Sequence, residues 1–134
     1  DQGMTISNDD KNSLIAYRLK QSNESLKIAK VLIDLPNYPT ALNRIYYAIF
    51  YCLLAVALKY DFKTSKHAQL IGWFNKNFIA SGKMESKYGR IIRKAYEYRL
   101  IADYDAFVEF EKEVVEELFL QTNELSGRIK KLLY

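Results

Sequence analysis

Cysteine and histidine are nearly absent from this 134-residue chain, which holds one of each, Cys52 and His67. A single cysteine excludes an intramolecular disulfide and a zinc cluster of cysteines, and it fits a reducing, cytoplasmic setting. A transition-metal site would have to be mostly carboxylate. The Glu-x-x-His pairs of di-metal bundles have no counterpart here, and neither do a glycine-rich phosphate loop or a His-x-x-x-His motif. The sequence therefore calls for no metal and no cofactor. Glycine (5 residues) and proline (2 residues) are scarce, so turns are few and helices long. No basic segment followed by an apolar stretch opens the chain, which argues against a signal peptide. The longest apolar run, Ile45 to Leu58, is shorter than a bilayer span and rich in tyrosine. The expectation is a soluble protein with no membrane contact.

What is present reads as globular. Apolar residues make up 49% and charged residues 27%, which excludes disorder and a coiled-coil rod. The length suits one domain that can fold without staples. Asp1-Gln2-Gly3 ahead of Met4 reads as the scar of a cleaved tag, leaving residues 4–134 as a single helical domain. The net charge of +4 is unevenly spread. Lys83 to Arg99 carries six basic and two acidic residues, and Asp103 to Glu117 carries seven acids against Lys112. Two neighbouring helices that neutralise each other would explain this; so would a basic face for nucleic acid.

Helical periodicity dominates the chain. A first helix begins after Asn8-Asp9-Asp10, any of which can cap it, with Ile15, Leu19, Ser22, Leu26, Ala29 and Ile33 on its inner face. Pro36 and Pro39 end it. Thr40 would cap a second helix running to about Tyr60 that is apolar all round and therefore central. A third runs from about Ser65 to Ala80, stopped by Ser81-Gly82, and a fourth from about Glu85 to Ala102. The last begins at Asp103 or Asp105 and reaches Leu133, with Gly127 a weak point. Its inner stripe reads Phe107, Val114, Leu118, Leu125, Ile129 and Leu132, with Phe110 beside it. The fold class is all-α, an up-and-down bundle of four long helices with a short fifth.

Several residues stand out against this background. Asn43 and Arg44 are polar groups near the start of the most apolar helix. A buried guanidinium without a partner costs about 3–5 kcal/mol, so Arg44 needs a carboxylate, Asp103 or Glu97, or a path to solvent. His67, in Ser65-Lys66-His67, sits at the first turn of a helix, where the dipole disfavours a cation and keeps the imidazole neutral. It is either a capping residue or a catalytic one. Arg99 is suited to grip phosphate, and Asp103 and Tyr104 follow it closely. Eleven of the 19 aromatic residues are tyrosine. Tyrosine suits interfaces and base stacking as well as wet core packing.

The run Asn43-Arg44-Ile45-Tyr46-Tyr47-Ala48-Ile49-Phe50 is followed in order by Ser65-Lys66-His67, Phe74 to Gly82, Tyr88-Gly89 and Arg99-Leu100-Ile101-Ala102-Asp103-Tyr104-Asp105. This series resembles the HEPN domain (higher eukaryotes and prokaryotes nucleotide-binding), in the branch known for Asn-Arg-x-Tyr-Tyr and Ala-Asp-Tyr signatures. It covers the chain from Leu14 to Leu133. The resemblance implies a helical bundle that forms a homodimer. It implies RNA or nucleotide binding, and the toxin half of a toxin–antitoxin pair with a neutralising nucleotidyltransferase that in some cases adenylylates a tyrosine. Many members are metal-independent ribonucleases with an Arg followed four to six residues later by a His. Arg99 matches that Arg, but Tyr104 stands where the His would be, so the usual proton-transfer group is missing.

Three arrangements remain open. Tyr104 replaces the His, His67 enters the site from another helix or the partner subunit, or the site binds RNA without cutting it. Arg99, Tyr104 and His67 are the catalytic candidates. Asn43, Arg44, Tyr47, Lys66 and Asp103 are the candidates for holding RNA or nucleotide. The competing reading is a non-catalytic protein-interaction module whose Arg and Asp residues are structural.

Overall fold

The computed structural model describes residues 6–134, so the reading of residues 1–3 as a tag remnant lies outside the described residues. Among the described residues the protein is all-α. The helices are α1 (Asn8–Asp34), α2 (Tyr38–Lys59), α3 (His67–Phe74), α4 (Ser86–Tyr104) and α5 (Lys112–Leu133). Four are long and α3 is short, although α3 runs on into a π-helical segment, Asn75–Ile79.

The α2 helix is the centre of the bundle, and α1, α3, α4 and α5 all pack against it. Ala41, Leu42, Ile45, Ala48, Ile49, Leu53, Ala55 and Val56 are buried on several of its faces. By length and composition alone, Tyr38–Lys59 could cross a membrane, but its apolar surface is the core of this bundle. The expected inner stripe of α1 is buried in full. Ser22 in that stripe comes close to α2, its Oγ donating to the Ala48 carbonyl at 2.7 Å, and Ser25, a buried residue outside the expected stripe, donates its Oγ to the Arg44 carbonyl at 2.7 Å. Hydroxyl-to-carbonyl bonds between helices fix their register as well as their spacing, because a slip of one residue orphans the donor.

Several boundaries differ from the sequence reading. The cap of α1 is Ser7, whose side chain accepts from the Asp10 N–H at 3.1 Å, in place of the Asn-Asp-Asp run that follows it. The α2 helix starts at Tyr38 with Asn37 at its cap, two residues before Thr40. Pro39 is tolerated in that first turn because the N–H it lacks would be unpaired there anyway. At the end of α3, the backbone N–H of Ala80 bonds to the Asn75 carbonyl at 2.7 Å, and this π turn keeps Phe74 and Phe78 both buried. Gly89 lets α4 press against it, since a Cβ there would stand 3.2 Å from Ile79 Cγ2. Gly82 ends the segment at φ +83°, the left-handed conformation expected of it.

The largest difference is at the start of α5. Neither Asp103 nor Asp105 begins it: α4 extends to Tyr104, and α5 starts at Lys112. Asp105 Oδ1 accepts from the Phe107 N–H at 3.0 Å, so the carboxylate that signals a cap holds a local turn instead. Phe107 is consequently 95% exposed and not a core residue. Val115 is buried where Val114 was expected, and Leu133 joins Leu118, Leu125 and Ile129 inside. Phe110 packs near Tyr98, with ring centroids 6.2 Å apart. The α5 helix is unbroken through Gly127.

These burials set an expectation for stability. Leu53→Ala, at the centre of α2, should lower the unfolding free energy by about 2–5 kcal/mol. Phe107→Ala should change it by less than about 0.5 kcal/mol. Urea denaturation monitored by circular dichroism measures both, and a large loss at Phe107 would contradict the non-helical path of residues 105–111.

Candidate functional site

One face of α2 presents Asn43, Tyr46, Tyr47 and Phe50, at the i, i+3, i+4, i+7 spacing of a helical stripe. The first turn of α3 and the C-terminal half of α4 close over it. Tyr46 lies at the middle. Its ring contacts those of Tyr47 (5.4 Å between centroids), His67 (5.7 Å) and Tyr96 (5.7 Å). His67 stacks on Phe50 at 4.0 Å and 14° between planes. Its Nδ1 lies 2.7 Å from the Tyr46 hydroxyl. That hydroxyl can donate to Nδ1 or accept from it, so it fixes the ring in either tautomer and leaves Nε2 as the nitrogen free to exchange a proton.

Arg99 reaches the same aromatic ledge from α4. Its guanidinium carbon stands 5.0 Å from the Tyr46 ring centroid and 5.6 Å from that of Tyr47. Arg99 Nε donates to Asp103 Oδ2 at 2.9 Å, one helical turn on, and the Arg99 side chain is 19% exposed. Arg44 approaches Tyr47 too, at 5.0 Å, and its Nε and Nη2 both donate to Asn43 Oδ1, at 3.1 and 2.8 Å. Neither Asp103 nor Glu97 pairs with Arg44; of the two alternatives open from sequence, a carboxylate or a path to solvent, the structure shows the second. The amide of Asn43 and the ring of Tyr47 take the place of a carboxylate, and Arg44, only half-buried, remains partly hydrated. Asn43 and Asp103 line a shallow hollow of about 290 Å³ together with Pro39, Thr40 and Ala102.

The electrostatics favour an anion. Two guanidiniums share the ring of Tyr47, and Asp103 is the one carboxylate paired with either among the described residues. Burial holds the Tyr46 phenol far above its usual range, so it stays protonated. Burial also lowers the His67 pKa, and the Arg99 charge beside it lowers it further. Both effects favour the neutral imidazole, desolvation more than the Arg99 charge.

The remaining sequence candidates fall outside this cluster. Tyr104 is the last residue of α4 and is 83% exposed, with no hydrogen bond or ring contact to Arg99 or His67. Lys66 is exposed at the cap of α3, where its backbone N–H donates to Thr64 Oγ1 at 3.1 Å. Two residues that the sequence reading did not place in the site, Tyr46 and Phe50, form its floor. Their spacing from Asn43 and Tyr47 was the available signal, obscured because α2 is apolar on every face.

The neutral imidazole has a consequence for stability. The folded-state pKa of His67 lies below its ordinary 6.5, so the unfolded chain binds more protons as the pH falls through that value. Stability is therefore full above the unfolded pKa and is lost as the pH drops toward the folded one. Between about pH 7.5 and pH 5, the wild type should lose more melting temperature than His67→Gln, which cannot titrate. Parallel curves from differential scanning calorimetry would contradict the lowered pKa of the partly buried imidazole.

The comparisons with known proteins agree with this architecture. The HEPN domain family pattern matches residues 15–132. The chain is 33% identical over 124 residues to a UPF0332 protein of Thermotoga maritima, covering 92% of this chain and 94% of that one. It is 38% identical over 112 residues to the protein named "Putative toxin MJ0605" of Methanocaldococcus jannaschii, covering 84% of this chain and 83% of its relative. A second protein of that organism, "Putative toxin MJ0142", is 33% identical over 115 residues, covering 86% of this chain and 78% of the relative. With nearly its whole bundle matched, from Ile15 on α1 to Leu132 on α5, the chain belongs to the HEPN domain family.

Proposed function

We propose that the protein is a toxin-like RNA-binding domain that cleaves RNA without a metal, with Arg99 and His67 as its reacting pair. The observation that carries this reading is the convergence of the Arg99 guanidinium and the His67 imidazole on the Tyr46 ring, from two different helices. His67 from α3 supplies the proton transfer that the residues following Arg99 on α4 lack. Tyr104, pointing into solvent at the helix end, does not.

In this mechanism a phosphodiester sits against Arg99 and Arg44. His67 Nε2 takes the proton of the substrate's 2′-hydroxyl. The 2′-oxygen attacks phosphorus, the bond to the 5′-oxygen breaks, and a proton returns to that oxygen from the imidazolium. The products are a 2′,3′-cyclic phosphate and a free 5′-hydroxyl. Arg99, oriented by Asp103, stabilises the charge that develops on the phosphoryl oxygens, and the half-buried setting strengthens it. A neutral imidazole at pH 7 suits the first step. Asn43 steadies Arg44, and Lys66 adds a cation at the rim. The names of the two M. jannaschii relatives favour a toxin role. On this reading the protein acts in the cytoplasm as a homodimer, and a nucleotidyltransferase neutralises it.

The test uses end-labelled structured and single-stranded RNA incubated with the purified protein in EDTA. Arg99→Ala should reduce cleavage about 10²–10³-fold. His67→Ala should reduce it about 10²–10⁴-fold. Tyr104→Phe should cleave as the wild type does. Wild-type cleavage that survives His67→Ala would remove His67 from the mechanism. Retardation of RNA without cleavage would leave a binding module, and the absence of both would favour a role in protein interaction.

A further inference from the structure

Among the described residues, the basic charge along α4 is only partly neutralised by ion pairs. Of the acids between Asp103 and Glu117, Asp103 pairs with Arg99 at 2.9 Å, and the bridges between α4 or its cap and α5 are Lys87–Glu124 at 2.6 Å and Arg128–Glu85 at 3.2 Å. Among the described residues, no carboxylate forms an ion pair with Arg90, Arg93 or Lys94. Arg90 and Arg93 are exposed, and Lys94 is half-buried. These three line a groove of about 400 Å³ between α4 and α5, with Tyr98 in its wall; Lys87, Glu97 and Glu124 line it too, so basic residues outnumber acidic ones there by four to two.

The groove is connected to the Arg99 site by helix geometry. Arg90, Arg93, Tyr96 and Arg99 follow one another at intervals of three residues. On an α-helix such a series forms a ridge that steps about 60° around the axis at each residue of the series, so that Arg99 lies about half a turn from Arg90 after a rise of roughly 13 Å. It leads from the groove, across the solvent face, to the guanidinium on the Tyr46 ledge. Tyr96 at its third position packs against Tyr46. Cations interleaved with tyrosine along a continuous path are the pattern that holds a single strand, by phosphate contact and base stacking together. An acidic protein surface would be served by the charges but would have no use for the link to Arg99.

We propose that this ridge and the α4–α5 groove form a track for single-stranded RNA, which holds the strand several nucleotides away from the bond placed at Arg99. The inference rests on the proposed function and extends it. Short RNA occupies only the Arg99 site, whereas longer RNA also engages Arg90, Arg93 and Lys94. Length dependence should therefore reside in these three residues and not in the reacting pair.

The experiment compares wild type with a triple variant, Arg90→Gln, Arg93→Gln and Lys94→Gln. A control variant loses equal charge elsewhere, at Lys20→Gln, Lys27→Gln and Lys131→Gln. Affinity for a fluorescent single-stranded 12-mer is measured against salt, and cleavage of a dinucleoside monophosphate is measured in parallel. The track variant should bind the 12-mer more weakly, with a log–log salt slope shallower by about 2, since each phosphate contact on a single strand contributes about 0.7. Its cleavage of the dinucleoside monophosphate should equal the wild type's, and the control should keep the wild-type slope. A track variant with the wild-type slope overturns the proposal and leaves the ridge to another anionic partner. An equal fall in the control also overturns it, because net charge alone would then be responsible. If the wild type neither binds the 12-mer nor cleaves the dinucleoside monophosphate, the proposed function itself fails. A failed track with intact dinucleotide cleavage is a different and distinguishable result.

Discussion

The hydrogen bond between the Tyr46 hydroxyl and His67 Nδ1 joins the centre of the bundle to its surface chemistry. Tyr46 is a core residue by burial, with its ring enclosed by α2, α3 and α4. A buried phenol that lacks a partner forfeits a hydrogen bond and keeps its desolvation cost. His67 satisfies it and is held in place in return. The short helix α3 is thereby tied to α2 by a polar contact as well as by the Phe50 stack. The position of the one histidine is set by core packing, not by a flexible loop. That rigidity is what a proton-transfer group requires, because small displacements of a reacting group are costly to rate.

Arg99 occupies the other side of the same ring. Guanidinium over an aromatic face is favourable by itself, and more so when partly desolvated. Asp103, one turn along α4, orients the fork without consuming all of its donors. Arg44 relies on an amide and a ring, which leave its charge uncompensated. The contrast matters for the structural alternative. Two arginines locked into buried carboxylate pairs would serve helix register alone. Two arginines gathered at Tyr47, with one carboxylate between them, are better suited to receiving an anion.

The same distinction holds along α4. Helices packed side by side can cancel their charges, and Lys87 with Glu124 does so. Beyond that pair, the acidic stretch after Asp103 follows a non-helical path and then the first turns of α5, and forms no ion pair with Arg90, Arg93 or Lys94 among the described residues. The departure of residues 105–111 from helix therefore has an electrostatic result. Had α5 begun at Asp105, its first turns would have carried Glu109 and Glu111 on a helix beside α4.

Periodicity was sufficient to determine the all-α class, the central position of α2 and the inner stripe of α1, because burial of an apolar face depends on spacing that the chain itself carries. The left-handed Gly82 was legible for the same local reason. The start of α5 was not. Asp105 can cap a helix or close a turn with equal chemistry, and in the fold it closes a turn while Phe110 packs near Tyr98. Arg99, Arg44, Asn43, Tyr47 and His67 were legible as unusual residues, but not as neighbours. His67 is 32 residues from Arg99 in sequence, and no local pattern encodes that approach. The ring of Tyr46 brings them together, and it does so because α2 is enclosed by α3 and α4 at once. The sequence by itself determined which side chains are too polar or too charged to be ordinary core; the tertiary structure alone decided that they meet, because their meeting depends on how three helices pack around one buried phenol.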